Sequence, residues 1–321
     1  MSGSKMEYRK IIEFGKSSFV VSLPKPWLKE RNLGKGDVVY VSREGENLTL
    51  YSAQKKESNE PKRITLDVTN MTKREIQLHV ISKYIRNFNE ITLTAENMGS
   101  KAKDVRAIIH DLMALEVYEE DANRIVAKDF LNVEDICPMT LLKKMDGITR
   151  EMISDSKNMF KEDAYDSIRQ RDDDINRLSH LLSRVLRYLQ ENHATARRKG
   201  LKNPQMNAIW AANTNIEHVA DQVKWVTKLM RKVKFKKSEQ EEFLKLFSAV
   251  EKYYLDGMQA LYGKDGDLAF KLLTRSKPLI KQCKDFNRQN WNHEHVPVMM
   301  EKLKTLVGEV KSILIYLCDV E

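Results

Sequence analysis

The stretch DAYDSIRQRDDDINRLSHLLSRVLRYLQE (163–191), followed after a short basic loop by NPQMNAIWAANTNIEHVADQVKWVTKLMR (203–231), decides how this chain is read. In the first segment Ile168, Ile175, Leu182 and Leu189 recur every seven positions, with Leu178 and Val185 between them. In the second, Ile209, Ile216, Val223 and Met230 keep the same interval, and Ala212, Val219 and Val226 fill the intermediate positions. Such a repeat lays one apolar stripe along a helix. Each segment therefore predicts a long helix, and the pair predicts the seam of an antiparallel bundle.

Outward from that seam, the same periodicity predicts six helices at 139–160, 163–192, 204–232, 238–262, 266–289 and 297–319, with breaks rich in Gly, Pro and Lys between them. Three helices followed by three read as an internal duplication, 138–237 and 238–321. The last helix keeps the pattern through Leu303, Val310 and Leu317, with Leu306 and Ile313 between.

With Ile216 at heptad position a, Glu217 falls at b and Asp221 at f, so two carboxylates share one outer face a turn apart, away from the apolar seam. The runs NIEHVADQV (215–223) and RDDDINRL (171–178) resemble the acidic signatures of PhoU domains, three-helix bundles of phosphate-signalling proteins. Order, spacing and helix lengths agree from about residue 138 to the end. The resemblance implies a role in phosphate uptake and homeostasis, with the bundle sensing metal or phosphate state or docking a phosphate-transporter ATPase or signalling partner. It also implies a divalent or iron ion held by Asp172, Glu217 and Asp221, although Asn176 stands where the family has a second acid. Three carboxylates make an open site for a hard or borderline cation; an acidic pair on a helix is equally the ordinary make-up of a solvated face. The second bundle offers SKPLIKQC (276–283) where an acidic signature belongs, so no metal patch is expected there. The trio His293, Glu294 and His295 is a ligand set only if another chain completes it.

Residues 7–51 read differently, as short strands at 10–14, 19–23, 38–41 and 48–51, with Pro24 and Pro26 opening one helical turn. A unit this small buries too little apolar surface to stand alone, which points to interleaving with a second copy. The order RKI (9–11), FGK (14–16), VVSLPKPWL (20–28), NLGKGDVVYV (32–41) resembles the AbrB/MazE/SpoVT swapped-hairpin DNA-binding domain, here 1–52. That resemblance implies a homodimer that contacts DNA. Arg9, Lys10, Lys16 and Lys29 match the family's basic positions, and Lys25 belongs to the same excess of basic over acidic residues in this segment. Ser17 and Ser18 are inserted after the glycine turn, and Glu30 stands where a second arginine often does.

A polar linker at 52–61 leads to residues 62–135, whose pattern predicts strands at 63–68, 90–95, 116–120 and 124–130 and helices at 72–87 and 101–115. This is a small α/β connector domain. Gly99 is its only glycine, so no phosphate-cradling loop is available, and neither His79 nor His110 has a spaced ligand partner. The fold class expected is multidomain and mainly α: a swapped-hairpin β domain, an α/β connector and two tandem three-helix bundles.

Composition agrees. A net charge of +9 and a pI near 9.2 favour an anionic partner such as nucleic acid. Cys137, Cys283 and Cys318 are far apart, form no C-x-x-C pair and lie in apolar patterns, so they read as buried free thiols rather than a disulfide or zinc framework. No leader or membrane-spanning run is visible, which makes the cytoplasm the expected compartment. The chain lacks a nucleophile elbow, a P-loop and a convergent His and acid pair, so neither an enzyme nor an organic cofactor is expected. Two functions remain: a DNA-binding phosphate regulator, or an adaptor that dimerises through its head and binds protein alone.

Overall fold

The computed structural model describes residues 7–44, 46–52 and 61–318. It divides into two compact units, residues 1–60 and 61–321. The linker and Lys5 fall largely or wholly outside the described residues.

In the first unit, β1 (Ile12–Phe14) and β2 (Ser18–Val20) form an antiparallel hairpin in which Phe14 pairs with Ser18. Gly15 turns that hairpin at φ +71°, a conformation that side chains with a Cβ resist, and this leaves Lys16 at the tip. Helix α1 (Lys25–Glu30) begins at Pro24 and Pro26, whose fixed φ suits a first helical turn. A second hairpin pairs β3 (Val39–Glu44) with β4 (Asn47–Ser52). Among the described residues the two hairpins do not pair with each other. No described side chain of this unit is buried. Tyr8, Ile11, Phe14 and Phe19 are 92%, 74%, 70% and 71% exposed, and because Phe14 pairs with Ser18 while Phe19 pairs with Glu13, apolar side chains on both faces of the hairpin are left uncovered among the described residues.

The second unit opens with a four-stranded sheet of order β5-β6-β8-β7, made from β5 (Arg63–Asp67), β6 (Glu90–Thr94), β7 (Leu115–Glu120) and β8 (Arg124–Asp129). β5 and β6 are parallel, joined through α2 (Lys73–Ile85), which Thr72 and Glu75 start with a reciprocal capping box. Ile91 and Leu93 of β6 alternate into a core shared with Ile76, Val80 and Tyr84 of α2 and with Val105 and Ile109 of α3 (Ala102–His110). Helix α3 stops five residues before the 101–115 expected from periodicity. Ala114 turns the chain at φ +61°, and Leu115, fully buried, pairs with Asp129 as the first residue of β7. An apolar residue at helical spacing was in fact a strand residue facing the same core.

Six long helices follow: α4 (Pro138–Ser156), α5 (Tyr165–Glu191), α7 (Asn203–Met230), α8 (Lys237–Gly263), α9 (Gly266–Gln289) and α10 (Val296–Cys318). A short helix α6 (His193–Arg198), which the heptads did not predict, occupies the basic loop. Helices α4, α5 and α7 pack pairwise, as do α8, α9 and α10, and α7 lies along α10. Asp172 faces Lys224 while Ser183 faces Asn213, so α5 and α7 run antiparallel. The heptad residues of both are buried, Ile168, Ile175, Leu182, Ile216 and Val223 completely. One continuous apolar core runs through both helix triplets. Polar ties reinforce it: Tyr254 of α8 donates to buried Asp146 of α4 at 2.9 Å, and Lys157 pairs with Glu251 at 2.7 Å. Gly257 lets α8 approach α10, since a Cβ there would meet Val310 at 2.9 Å.

The cysteine expectation needs correction. Cys283 is buried, but Cys137 is exposed, because it precedes Pro138 at the mouth of α4 rather than on its apolar face.

Candidate functional site

The basic positions of the first unit are all exposed. Lys10 leads into β1, Lys16 sits at the hairpin tip, and Lys25 and Lys29 lie on α1. None of these four lysines forms an ion pair with a described residue, whereas Arg9 is bound to Glu7 at 2.5 Å. Four free ammonium groups and one partly neutralised guanidinium are what a phosphate backbone would meet.

The acidic residues expected on an outer face of the bundle are placed differently. Asp172 is buried, its side chain 5% exposed, and Glu217 and Asp221 are half-buried. The reason is α5: its flank covers the face of α7 that carries positions 217, 221 and 224. Between the carboxylates lies a cation of the chain's own. Lys224 places Nζ 2.5 Å from Asp172 Oδ2 and 2.8 Å from Asp221 Oδ1. Glu217 turns to His218 at 3.5 Å, and His218 reaches Glu309 of α10 at 3.4 Å.

The electrostatics follow from burial. Burial pushes the Asp172 carboxyl above the ordinary carboxylate value, and the bond from Lys224 only partly offsets it. Glu217 is also raised, first by burial, with His218 opposing and Asp221 and Asp172 adding to the rise. Burial pulls Lys224 down, but its bonds to Asp172 and Asp221 outweigh that and hold it above the usual lysine value. The lysine therefore stays charged where the PhoU resemblance placed a metal.

That geometry tests the fit of an ion directly. Two of the three proposed ligands already share an ammonium at hydrogen-bond distance, so an ion coordinated by Asp172 and Asp221 would have to displace Lys224. As arranged, the residues do not fit a bound metal. Among the described residues no group of three or more His, Cys, Asp or Glu side chains could hold a metal ion. His293 is engaged otherwise: its Nε2 lies 3.3 Å from Glu239 and its ring packs edge-on against Phe235. Sequence reasoning passed over Lys224, although the signal was present. Lys224 repeats the b position of Glu217 one heptad later, so it had to share that face.

Comparison with known families places two domains on this chain. A family described as "Antidote-toxin recognition MazE, bacterial antitoxin" matches residues 14–59, and the PhoU domain family matches residues 142–230. The second match covers most of α4 and all of α5, α6 and α7, the helix triplet that carries Asp172 and Lys224. No curated protein and no solved structure matches the chain. No helix among the described residues is long and apolar enough to cross a membrane. The chain thus carries a MazE/AbrB-type antitoxin domain at its N-terminal end and a PhoU domain in its helical part.

Proposed function

We propose that this protein is a non-enzymatic regulator of phosphate uptake and intracellular phosphate homeostasis: two copies join through their heads and bind DNA, and the PhoU bundle biases that binding. The observation that carries the reading is the pairing, on one chain, of a PhoU domain with a head whose Lys10, Lys16, Lys25 and Lys29 are exposed and unpaired. The uncovered Ile11, Phe14 and Phe19 support a second copy as the head's missing apolar partner. The coupling is linkage: a ligand or partner that binds the bundle differently in two states shifts DNA affinity by the same factor. Metal at Asp172, Glu217 and Asp221 has no part in it while Lys224 holds that place.

The test is fluorescence anisotropy of a duplex from upstream of phosphate-transport genes, read at several salt concentrations. About six to eight neutralised phosphates give a log-log salt slope of roughly −5 to −7. Replacing Arg9, Lys10 and Lys16 by alanine should weaken binding and flatten the slope while sedimentation still shows the dimer. A dimer that shows no salt-dependent affinity for DNA overturns the reading. It would favour the adaptor, in which the head recognises protein and the bundle docks on a transporter ATPase or signalling protein. Two observations lean that way: the head's family is described by antidote-toxin recognition, and Arg9 is paired with Glu7.

A further inference from the structure

The second polar face of α5 is only partly open to solvent. Asp173, Asn176, Arg177 and His180 lie at spacings of three, four and seven, one stripe of the helix, and they line a cavity of about 240 Å³ with residues of α2 and α3. From α2 come Gln77 and Ile81, from the end of α3 Ile108 and the two residues after it, Asp111 and Leu112. The cavity therefore lies where the α/β region meets the PhoU helices, within one compact unit.

Gln77 accepts a hydrogen bond from Arg74 at 2.9 Å, but the polar groups that α5 brings are idle. Arg177 has its Nε buried with no hydrogen-bond partner, and among the described residues its guanidinium pairs only with Asp174, at 4.0 Å. Native structures seldom leave a buried donor unpaired. Asn176 and His180 make no side-chain hydrogen bond to a described residue. Burial lowers the His180 pKa, with Asp111 opposing, so the ring is neutral near pH 7 and offers one donor and one acceptor. Asp111 and Asp173 are exposed, which places at the rim two carboxylates that form no ion pair with a described residue. Ile108 and Leu112 are buried and, with Ile81, form an apolar wall.

This arrangement selects a ligand class. A free phosphate dianion would satisfy Arg177 but would lie beside two carboxylates. The volume is below the roughly 300–1,000 Å³ of sites for drug-sized ligands, so a nucleotide is too large. We infer that the cavity binds a small zwitterion of the α-amino-acid class: its carboxylate is held by Arg177 and Asn176, its ammonium by Asp111 or Asp173, and its side chain lies against Ile81, Ile108 and Leu112. This goes beyond the regulatory reading and stands whether or not the head binds DNA.

The experiment uses the full chain. Each L-amino acid is screened singly by thermal shift, and hits are titrated by calorimetry, with inorganic phosphate and adenosine monophosphate as counter-probes. The expected result is saturable binding of one or a few amino acids, one per chain. Arg177→Met, at a side chain 40% exposed and so tolerant of change, should weaken binding at least tenfold; Asp173→Asn should weaken it while leaving the unliganded melting temperature in place. Absence of binding by every amino acid overturns the inference. So does binding that neither substitution alters, or a site filled by phosphate or the nucleotide in preference to any amino acid.

Discussion

Lys224→Met is the substitution that tests the helical core most sharply. It keeps the aliphatic stem but removes the charge shared by Asp172 and Asp221. Asp172 is then a carboxylate with a side chain 5% exposed and no cation beside it. Breaking a buried pair from one side costs about 3–5 kcal/mol. Two features reduce the loss. Lys224 is 21% exposed, so water reaches part of the site. Asp172 can also take up a proton, and moving a carboxylate pKa from about 3.9 to 7 costs about 4 kcal/mol, which caps the penalty at pH 7. The expected loss is about 2–4 kcal/mol, read by urea denaturation. The pH dependence has a definite sign. Burial already raises Asp172 in the folded protein, and removing Lys224 takes away what opposed the rise. A raised carboxyl pKa favours folding where the group is protonated, and that contribution is lost as pH climbs through the folded value. The deficit of Lys224→Met should therefore be full at neutral pH and shrink toward zero as pH falls to about 3, where both states hold the proton. In parallel, Mn²⁺ or Zn²⁺ should leave the melting temperature of the unmodified protein unchanged. A variant within about 0.5 kcal/mol of the parent at pH 7 would refute the argument. So would a metal-induced rise in the parent that Asp221→Asn abolishes.

The α/β region is locked to α5 by Arg184, whose guanidinium is bidentate to Asp129, donates to Asn87 at 3.2 Å and lies 4.6 Å from the Tyr84 ring. Arg184→Ala strands buried Asp129 and should cost about 3–5 kcal/mol in denaturant unfolding, while Arg184→Met with Asp129→Leu should recover most of it; a single variant that costs nothing would show that the lock contributes no stability. Among the thiols, Cys137 is exposed and its pKa falls below the ordinary value, because hydrogen bonds from Thr140 and Met139 and the nearby Lys199 outweigh partial burial. Cys283 is buried and pushed up to about 11 by that burial. Iodoacetamide at pH 7.5 should thus label Cys137 first and Cys283 only on unfolding, as peptide mass spectrometry would show; equal rates in the native protein would contradict the placement.

How much of this was legible beforehand depends on what periodicity encodes. A heptad states which residues avoid water, so Ile168 through Met230 and Leu303 through Leu317 gave the long helices, their order and their core face correctly, and passed over only the short α6. It does not state what lies over the other faces. Glu217 and Asp221 were assigned to an outer face because they flank the seam, yet α5 covers that flank and half-buries them. Lys224 was legible by the same spacing and was missed because a search for ligands counts acids and ignores the cation among them. Asn176 was weighed only as the residue in place of a second acid, and Arg177 and His180 were not singled out: only the placement of α2 and α3 shows that something stands opposite. Leu115 was counted into a helix because apolar spacing of three or four and burial in a strand leave the same mark over so short a run.

The head presents the converse case, and it bears on function. Alternation in 10–23 and 38–51 gave the strands of the hairpins, and the shortage of buried apolar surface was legible too. In the helical unit the heptad faces of α5 and α7 find their cover within the chain. Here Phe14 and Phe19 remain about seven-tenths exposed, on a unit whose lysines are also exposed and unpaired. Uncovered apolar side chains and a basic surface on so small a module demand different partners, one that excludes water and one that carries negative charge. A second copy meets the first demand without adding negative charge in excess, and in doing so doubles the ammonium groups offered to the second. On the proposed reading dimerisation and attraction to a polyanion are one design in this head, and a variant that breaks the dimer should lose nucleic-acid affinity even with every lysine intact.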